Sequence, residues 1–289
     1  MKLRPYSHLV CPIDNTPLIL KEDSRYVCTH NHSFDIARQK YVNLLPIQDK
    51  RSKHPGDSKE MVLARKQFLD TGVYESIAER VNHLVLEEII KSASADFAIM
   101  DAGCGEGYYL DKLKQAALAD ASDKVLSLLG MDISKPAVHV ATQRDRQNIQ
   151  WVVGTNRNPP VKDASLNLIL CMFGYPMFEV FAKALAAEGS VLLVESGEQH
   201  LIELRQIIYD EVKPASSPDF SAAYSTGFSV VKELTLTTST GELSEAQISD
   251  LLLMTPHFFK VNQHKRNKVL EAVALSLTVD VRFTLLRKG

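Results

Sequence analysis

The feature that most constrains the fold is a glycine-rich turn between an apolar run and a helix-like segment. Residues 97–100 read Phe-Ala-Ile-Met and lead into residues 101–107, Asp-Ala-Gly-Cys-Gly-Glu-Gly. Leu110, Leu113 and Ala117 follow at the spacing of one helical face. A strand, a glycine turn and a helix in this order predict an open, mostly parallel α/β sheet. Closely spaced glycines also let the backbone approach a bound ligand.

Two acids sharpen this pattern. Asp101 stands at the strand end before the first glycine, and Asp132 ends the next apolar run, where it can hold a ribose diol. The spacing D-x-G-x-G-x-G differs from the dinucleotide-binding turn. It resembles the first motif of class I S-adenosylmethionine methyltransferases, which implies a Rossmann-like, seven-stranded, mostly parallel sheet. The cofactor is then S-adenosyl-L-methionine, with candidate contacts at Asp101, Gly103, Gly105, Gly107, Asp132 and Asn156. The alternative is an ordinary turn without a ligand.

Composition limits the classes of function. The chain has 289 residues, with Lys+Arg 33 against Asp+Glu 35 and a formal net charge of -2. Global charge therefore does not predict nucleic-acid binding, and any basic surface must be local. We find no apolar run long enough for a membrane span, no signal peptide and no cysteine framework for disulfides. We expect a cytoplasmic protein that is not bound to a membrane.

The first 46 residues contain an incomplete metal-binding pattern. Cys11, Cys28 and His32 have the spacing of a small zinc module, whose expected second cysteine would stand at Asp14. A carboxylate can bind zinc, so the candidate ligands are Cys11, Asp14, Cys28 and His32. His30 or His8 is an alternative fourth ligand. The other interpretation is a module that has lost its metal and is held by packing, so zinc stays one of two alternatives here.

Several strings share a resemblance that spans essentially the whole chain. Residues 34–38, 41–46 and 55–58, with 104–109, are similar to the bacterial family of 23S ribosomal RNA (guanine-N1)-methyltransferases. That family joins an N-terminal zinc module to a class I methyltransferase domain, and Asp14 departs from its pattern. The resemblance implies a homodimer that methylates guanine N1 in a hairpin of 23S rRNA. It also implies cofactor contacts at Tyr74, Gly105, Glu106 and His200.

We predict three segments in the chain. They are a zinc-ribbon-like RNA-recognition module at 1–46, a basic linker and helix at 47–74, and the class I methyltransferase domain at 75–289. The linker concentrates positive charge, which predicts contacts to RNA phosphates by Lys50, Arg51, Lys53, Lys59, Arg65 and Lys66. A solvated linker without a partner is the alternative.

The catalytic residues stay open at this level. Guanine N1 carries a proton at neutral pH, and the candidates for accepting it are Glu195, Asp57 and the backbone near Phe173. Phe173 follows a predicted strand and either stacks on the acceptor base or has a structural role. Two other functions compete with rRNA methylation. One is a small-molecule or protein methyltransferase with the same cofactor domain, and the other is a non-catalytic RNA-binding protein of ribosome assembly.

Overall fold

The chain folds around one large sheet and a smaller N-terminal one. A computed structural model describes residues 1–49, 55–120, 122–212, 218–255, 269 and 275–289. The strands are β1 Lys2–Pro5, β2 Ile19–Lys21, β3 Arg25–Val27, β4 Ser33–Asp35, β5 Tyr41–Asn43, β6 Asp96–Ala102, β7 Val125–Asp132, β8 Ile149–Val153, β9 Leu166–Met172, β10 Leu185–Ser196, β11 Phe228–Leu243 and β12 Leu275–Lys288. The α-helices are α1 Lys59–Asp70, α2 Glu75–Lys91, α3 Tyr108–Ala119, α4 Lys135–Ala141, α5 Phe178–Ala184, α6 Ile202–Ile208, α7 Ser221–Ser225 and α8 Glu245–Met254.

Among the described residues, the large sheet has nine strands in the order β11-β12-β10-β9-β6-β7-β8-β5, with β1 paired to β7 outside that path. Strands β6 to β10 run parallel, whereas β12 is antiparallel to both β10 and β11. The predicted Rossmann-like, mostly parallel sheet is therefore confirmed. Residues 75–289 supply the predicted seven strands, β6–β12, and β1 and β5 from the N-terminal region add two more.

The central strands are apolar because both of their faces are covered. Ile99 and Met100 of β6 and Leu128 and Leu129 of β7 are all fully buried. These neighbours point to opposite faces of the sheet, so each face has its own core. The carboxyl ends of β6, β7 and β9 consequently form one rigid edge, where open α/β sheets bind ligands.

The N-terminal module is tied to the large sheet at both ends. β2, β3 and β4 form its three-stranded sheet, while β1 pairs with β7 and β5 with β8. Between them, Leu9 forms an antiparallel bridge with Val161. The proposed divisions at residues 46 and 74 stay predictions.

Two sequence expectations are considered against the described residues. The predicted RNA contacts Lys50, Arg51 and Lys53 lie outside the described residues. Within the described ranges, no helix combines the length and apolar character needed to span a membrane.

Candidate cofactor cleft and metal centre

A cleft opens at the carboxyl edge of the sheet, where β6, β7 and β9 end. Its first compartment is a cavity of about 330 Å³ lined by the turn 103–106, Tyr109, Asp132 and the segment 172–174. A second compartment of about 270 Å³ shares Gly103 and Asp132 with the first and is also lined by Asn156. The structure thus brings the predicted turn, the second acid and Asn156 to one place.

The three glycines of the turn share a left-handed backbone, but Gly103 and Gly107 have different surroundings. All are left-handed, with φ of 95° at Gly103, 55° at Gly105 and 84° at Gly107. A Cβ on Gly107 would lie 2.7 Å from the Trp151 ring, whereas a Cβ on Gly103 would meet nothing within 4 Å. Gly107 therefore serves the packing of the turn, and Gly103 leaves space open within the cleft.

The environment of the Asp101 side chain is the strongest indication that the cleft suits a positively charged ligand. Its side chain is 1% exposed, and neither carboxylate oxygen has a hydrogen-bond partner among the described residues. Burial, with the nearby charges of Asp132 and Glu106, raises the pKa of Asp101 to about 8. A buried carboxylate without partners is unfavourable unless a ligand provides positive charge or donors. The sulfonium and ammonium groups of S-adenosylmethionine fit that requirement.

Asp132 is held by the turn that it faces. Its Oδ2 accepts a hydrogen bond from the Gly105 N–H at 2.9 Å, and its Oδ1 accepts one from the Ser134 N–H at 2.7 Å. The pKa of Asp132 is raised overall, because the effect of burial exceeds that of these two hydrogen bonds, which lower it. Each oxygen keeps a lone pair for a ribose hydroxyl. In the second compartment, Asn156 donates from Nδ2 to the Ala102 carbonyl at 3.3 Å.

Glu106 anchors the start of α3. Its Oε2 lies 2.5 Å from Nη2 of Arg144, and Arg144 also contacts Oδ1 of Asp70 at 2.9 Å. The pKa of Glu106 is raised overall, because the effect of burial exceeds the opposing effect of the Arg144 charge. The side chain is largely committed to Arg144, so the predicted cofactor contact would come from its backbone or from Oε1. Sequence reasoning missed Arg144, which lies 38 residues away with no local signal.

Tyr74, His200 and Phe173 come together although the sequence separates them widely. Oη of Tyr74 lies 3.4 Å from Nε2 of His200, and the His200 ring stacks on Phe173 with centroids 6.2 Å apart. The Asp280 N–H donates to Nδ1 of His200 at 3.3 Å. Neutral His200 therefore carries its proton on Nε2, toward Tyr74. Burial raises the pKa of Tyr74.

We predicted a phosphate contact for Arg65, and the structure places it in the lining of the cofactor cleft, paired with Asp57. It also donates to the Met254 carbonyl at 3.3 Å. Asp57, a predicted proton acceptor, is therefore in the cleft but held by a cation. Its position is fixed by the Ser134 hydroxyl, which donates to the Asp57 carbonyl at 2.8 Å.

The other two described members of the basic cluster also differ from each other. Lys66 forms an ion pair with Asp70 on the same helix. Lys59 is exposed at the start of α1. RNA contact by Lys59, Arg65 and Lys66 stays a prediction, and Arg65 and Lys66 have acidic partners within the protein.

The loop after β9 presents an aromatic ring to the cleft. Phe173 is 40% exposed and has a left-handed backbone with φ of 50°, which is uncommon for a bulky residue. Its N–H donates to the Val194 carbonyl at 2.8 Å, which fixes the loop beside the end of β10. Glu195 follows Val194 on β10 and is half-buried. Its pKa is raised overall, because the effect of burial exceeds the opposing effect of the Arg282 charge. An exposed ring and a carboxylate thus lie on adjoining strand ends.

The N-terminal module contains a convergent set of metal ligands. One ligand atom each of Cys11, Asp14, Cys28 and His32 lies within 4.8 Å of all the others. Nδ1 of His32 is 3.5 Å from Sγ of Cys11, 3.4 Å from Sγ of Cys28 and 3.1 Å from Oδ2 of Asp14. Zinc bond lengths of about 2.3 Å to sulfur and 2.0–2.1 Å to nitrogen or oxygen require tetrahedral edges of about 3.3–3.8 Å. The donors therefore suit zinc in a closed, structural site.

The geometry also selects among the predicted fourth ligands. Asp14 is part of the convergent set, as the carboxylate hypothesis requires. His30 instead contacts Asp14 through Nδ1, 2.8 Å from Oδ2, and so orients a ligand. His8 packs against the ring of Tyr6. Zinc binding is therefore plausible despite the missing cysteine.

Comparisons with known proteins agree with both parts of the structure. Residues 9–53 match the family model for the RlmA N-terminal zinc ribbon, and residues 99–197 match a methyltransferase domain. The 23S rRNA (guanine(748)-N(1))-methyltransferase of Streptomyces fradiae is 30% identical over 204 residues, covering 71% of this chain and 69% of that protein. A Micromonospora griseorubida protein named as a 23S rRNA (guanine-N(1)-)-methyltransferase is 30% identical over 210 residues, which cover 68% of each chain.

A third relative extends the similarity over nearly the full length. YxjB of Bacillus subtilis is 25% identical over 280 residues, 96% of this chain and 95% of its own. Among solved structures, Bacillus subtilis YcgJ has 17% identity and a TM-score of 0.44, covering 71% of this chain and 97% of its own. That last likeness is too weak to support an argument.

The fold, the glycine turn and the cleft define a class I methyltransferase with S-adenosylmethionine as its cofactor. The N-terminal zinc ribbon is the second defining part. The chain belongs to the family of 23S rRNA (guanine-N1)-methyltransferases.

Proposed function

We propose that this protein transfers a methyl group from S-adenosylmethionine to N1 of a guanine in a hairpin loop of 23S rRNA. The observation that carries the proposal is family membership, based on 30% identity to relatives that the chain covers by more than two thirds. The cleft supports it with the exposed ring of Phe173 and with Asp101, a buried carboxylate that has no hydrogen-bond partner in the described part of the chain.

The residues of the cleft define what the protein contributes. S-adenosylmethionine supplies an electrophilic methyl group that a nucleophile can displace directly. In this proposal Asp132 holds the ribose, Asn156 faces the adenine and Asp101 complements the cationic end; the hydrogen bonds, lining and burial of these side chains support it. The protein's main contribution is to hold the two reactants in line, and orientation of this kind lowers barriers by as much as about 7–11 kcal/mol.

The acceptor atom sets two further requirements. N1 of a paired guanine is hidden, so the base must be unpaired or extruded and then stacked, and the Phe173 ring offers a surface for that. N1 must also lose a proton. We favour Glu195 over Asp57 as the acceptor, because burial raises the pKa of Glu195 and thereby its basicity. Asp57 is instead paired with Arg65.

The proposal is tested by methyl transfer from labelled S-adenosylmethionine to unmodified 23S rRNA transcribed in vitro, followed by mass mapping. We expect one methyl group on N1 of a hairpin guanine. Methylation of a small molecule or protein in preference to RNA would support the first alternative function. RNA binding without turnover would support the second, the assembly protein.

A pair of variants tests the proton acceptor. Glu195→Gln should lower kcat by about 10²- to 10⁴-fold, the usual contribution of a general base. Exposed Glu198→Gln, three residues along, is the matched control and should retain wild-type kcat. Full activity of Glu195→Gln would transfer the role to Asp57 or to a backbone carbonyl.

Two properties follow from the family resemblance alone. We propose that the enzyme acts in the cytoplasm, where 23S rRNA is present, and that it works as a homodimer. Analytical ultracentrifugation at micromolar concentration tests the dimer directly, and a monomer that remains fully active would refute it.

A further inference from the structure

A groove separate from the two cofactor compartments lies where the N-terminal module meets the methyltransferase sheet. It is a cavity of about 500 Å³. The module provides one wall with Val10, Asn15 and Pro17, and the loop 157–163 and helix α5 provide the rest. A groove at such a junction is built only when both parts of the chain are in place.

The groove is rigid because backbone hydrogen bonds join its walls. The Val10 N–H donates to the Pro160 carbonyl at 3.0 Å, and the Lys162 N–H donates to the His8 carbonyl at 2.9 Å. On the module side, the Asn15 N–H donates to the carbonyl of the metal ligand Cys11 at 2.8 Å. A surface fixed in this way loses little conformational entropy when it binds a ligand.

The charge of the groove is positive. Arg157, Lys162 and Lys183 line it, all three exposed, against one acid, Asp163. Within the described parts of the chain, none of these three cations forms an ion pair. On a protein with a formal net charge of -2, unpaired cations around one rigid groove form a local site for polyanions.

The groove leads to the cofactor cleft. Arg157 lines both the groove and the second cofactor compartment, which also contains Tyr175. The Tyr175 side chain is 85% exposed, so its ring can stack on an unpaired base. A strand that follows the cations would meet this ring where the groove joins the second compartment.

We propose that this groove binds the phosphate backbone of the substrate RNA and directs the strand past Tyr175 into the cleft; the inference rests on the RNA substrate proposed above. The main phosphate contacts of the groove are then Arg157, Lys162 and Lys183. The metal site acquires a defined task, since it holds the loop that forms one wall of the groove.

The test compares two double variants in RNA binding at increasing salt, with the unmodified 23S rRNA transcript as the probe. Lys162→Gln with Lys183→Gln removes two groove cations. Lys91→Gln with Lys232→Gln is the control, because both lysines pair with Glu87 elsewhere on the protein. Loss of two phosphate contacts should reduce the slope of log K against log salt by about 1.4–1.8, and the control should keep the wild-type slope.

Two further measurements separate this inference from the proposed function. The groove variant should retain wild-type cofactor affinity by calorimetry, and its KM for RNA should rise while kcat at saturating RNA stays constant. A groove variant with the wild-type salt slope and KM would overturn the groove, even though the enzyme methylates RNA. If the wild-type protein neither binds nor methylates the transcript, the proposed function itself is wrong.

Discussion

The buried carboxylate of Asp101 should make the ligand-free protein less stable than its Asp101→Asn variant. Burial raises the pKa of this group from 3.8 to about 8, so the folded protein binds the proton more tightly than the unfolded chain. Stability therefore falls as pH rises between those two values, by as much as about 1.4 kcal/mol per pH unit. At pH 7 the accumulated loss is about 4 kcal/mol.

Asparagine has nearly the same shape and does not ionise. A buried amide without partners has its own cost of about 1–3 kcal/mol, similar to that of the neutral carboxyl group that it replaces. We therefore expect Asp101→Asn to raise the free energy of unfolding at pH 7 by about 2–4 kcal/mol. Urea denaturation of ligand-free protein between pH 5.5 and 8 measures this, with exposed Asp123→Asn as the control.

The same substitution should weaken cofactor binding. Removing a charged partner costs about 1.5–3 kcal/mol, or about 10- to 150-fold in Kd. Wild-type affinity for S-adenosylmethionine should also rise with pH toward 8, as Asp101 ionises, and Asp101→Asn should lose that dependence. Unchanged stability together with wild-type pH dependence of binding would refute the account of Asp101 as an orphaned, ligand-seeking carboxylate.

Three other substitutions test the metal site and the turn. Asp14→Ala should reduce zinc in protein purified without chelator to below one equivalent by elemental analysis, because it removes one of four convergent donors; full zinc content would exclude the carboxylate as a ligand. Gly107→Ala should destabilise the fold by about 2–5 kcal/mol in urea denaturation, since it adds left-handed strain to a clash with Trp151. Arg144→Met should cost about 3–5 kcal/mol by the same assay, because it leaves Glu106 buried without its cation, and a smaller loss would show that Glu106 is neutral when folded.

Local sequence patterns predicted the centre of the site well. The turn 101–107 and Asp132 follow apolar strands directly, so their positions at the sheet edge depend only on strand order. The candidate zinc ligands could also be predicted locally, because their spacing is characteristic of small zinc modules, and the structure brings the four together. Asp14 could be predicted as the fourth candidate because a carboxylate in the position of the expected cysteine can also bind zinc.

Contacts between distant segments were beyond the reach of those patterns. The salt bridge of Glu106 with Arg144 and the approach of Arg65 to the cleft both depend on how helices pack. A charge-rich segment shows that cations are present without showing which way each one faces. The strand β5 has three residues, too few for an alternating pattern to be recognised.

The pairing of β1 with β7 has a consequence for how the protein is made. Lys2 is in register with Val125 and Pro5 with Leu128, so the first strand has no partner until more than a hundred further residues have been synthesised. Contacts of such long sequence separation slow folding and leave an open strand edge exposed in the meantime. A shortened protein lacking β1 would leave part of the β7 edge uncovered, and we expect it to aggregate more readily than the full chain.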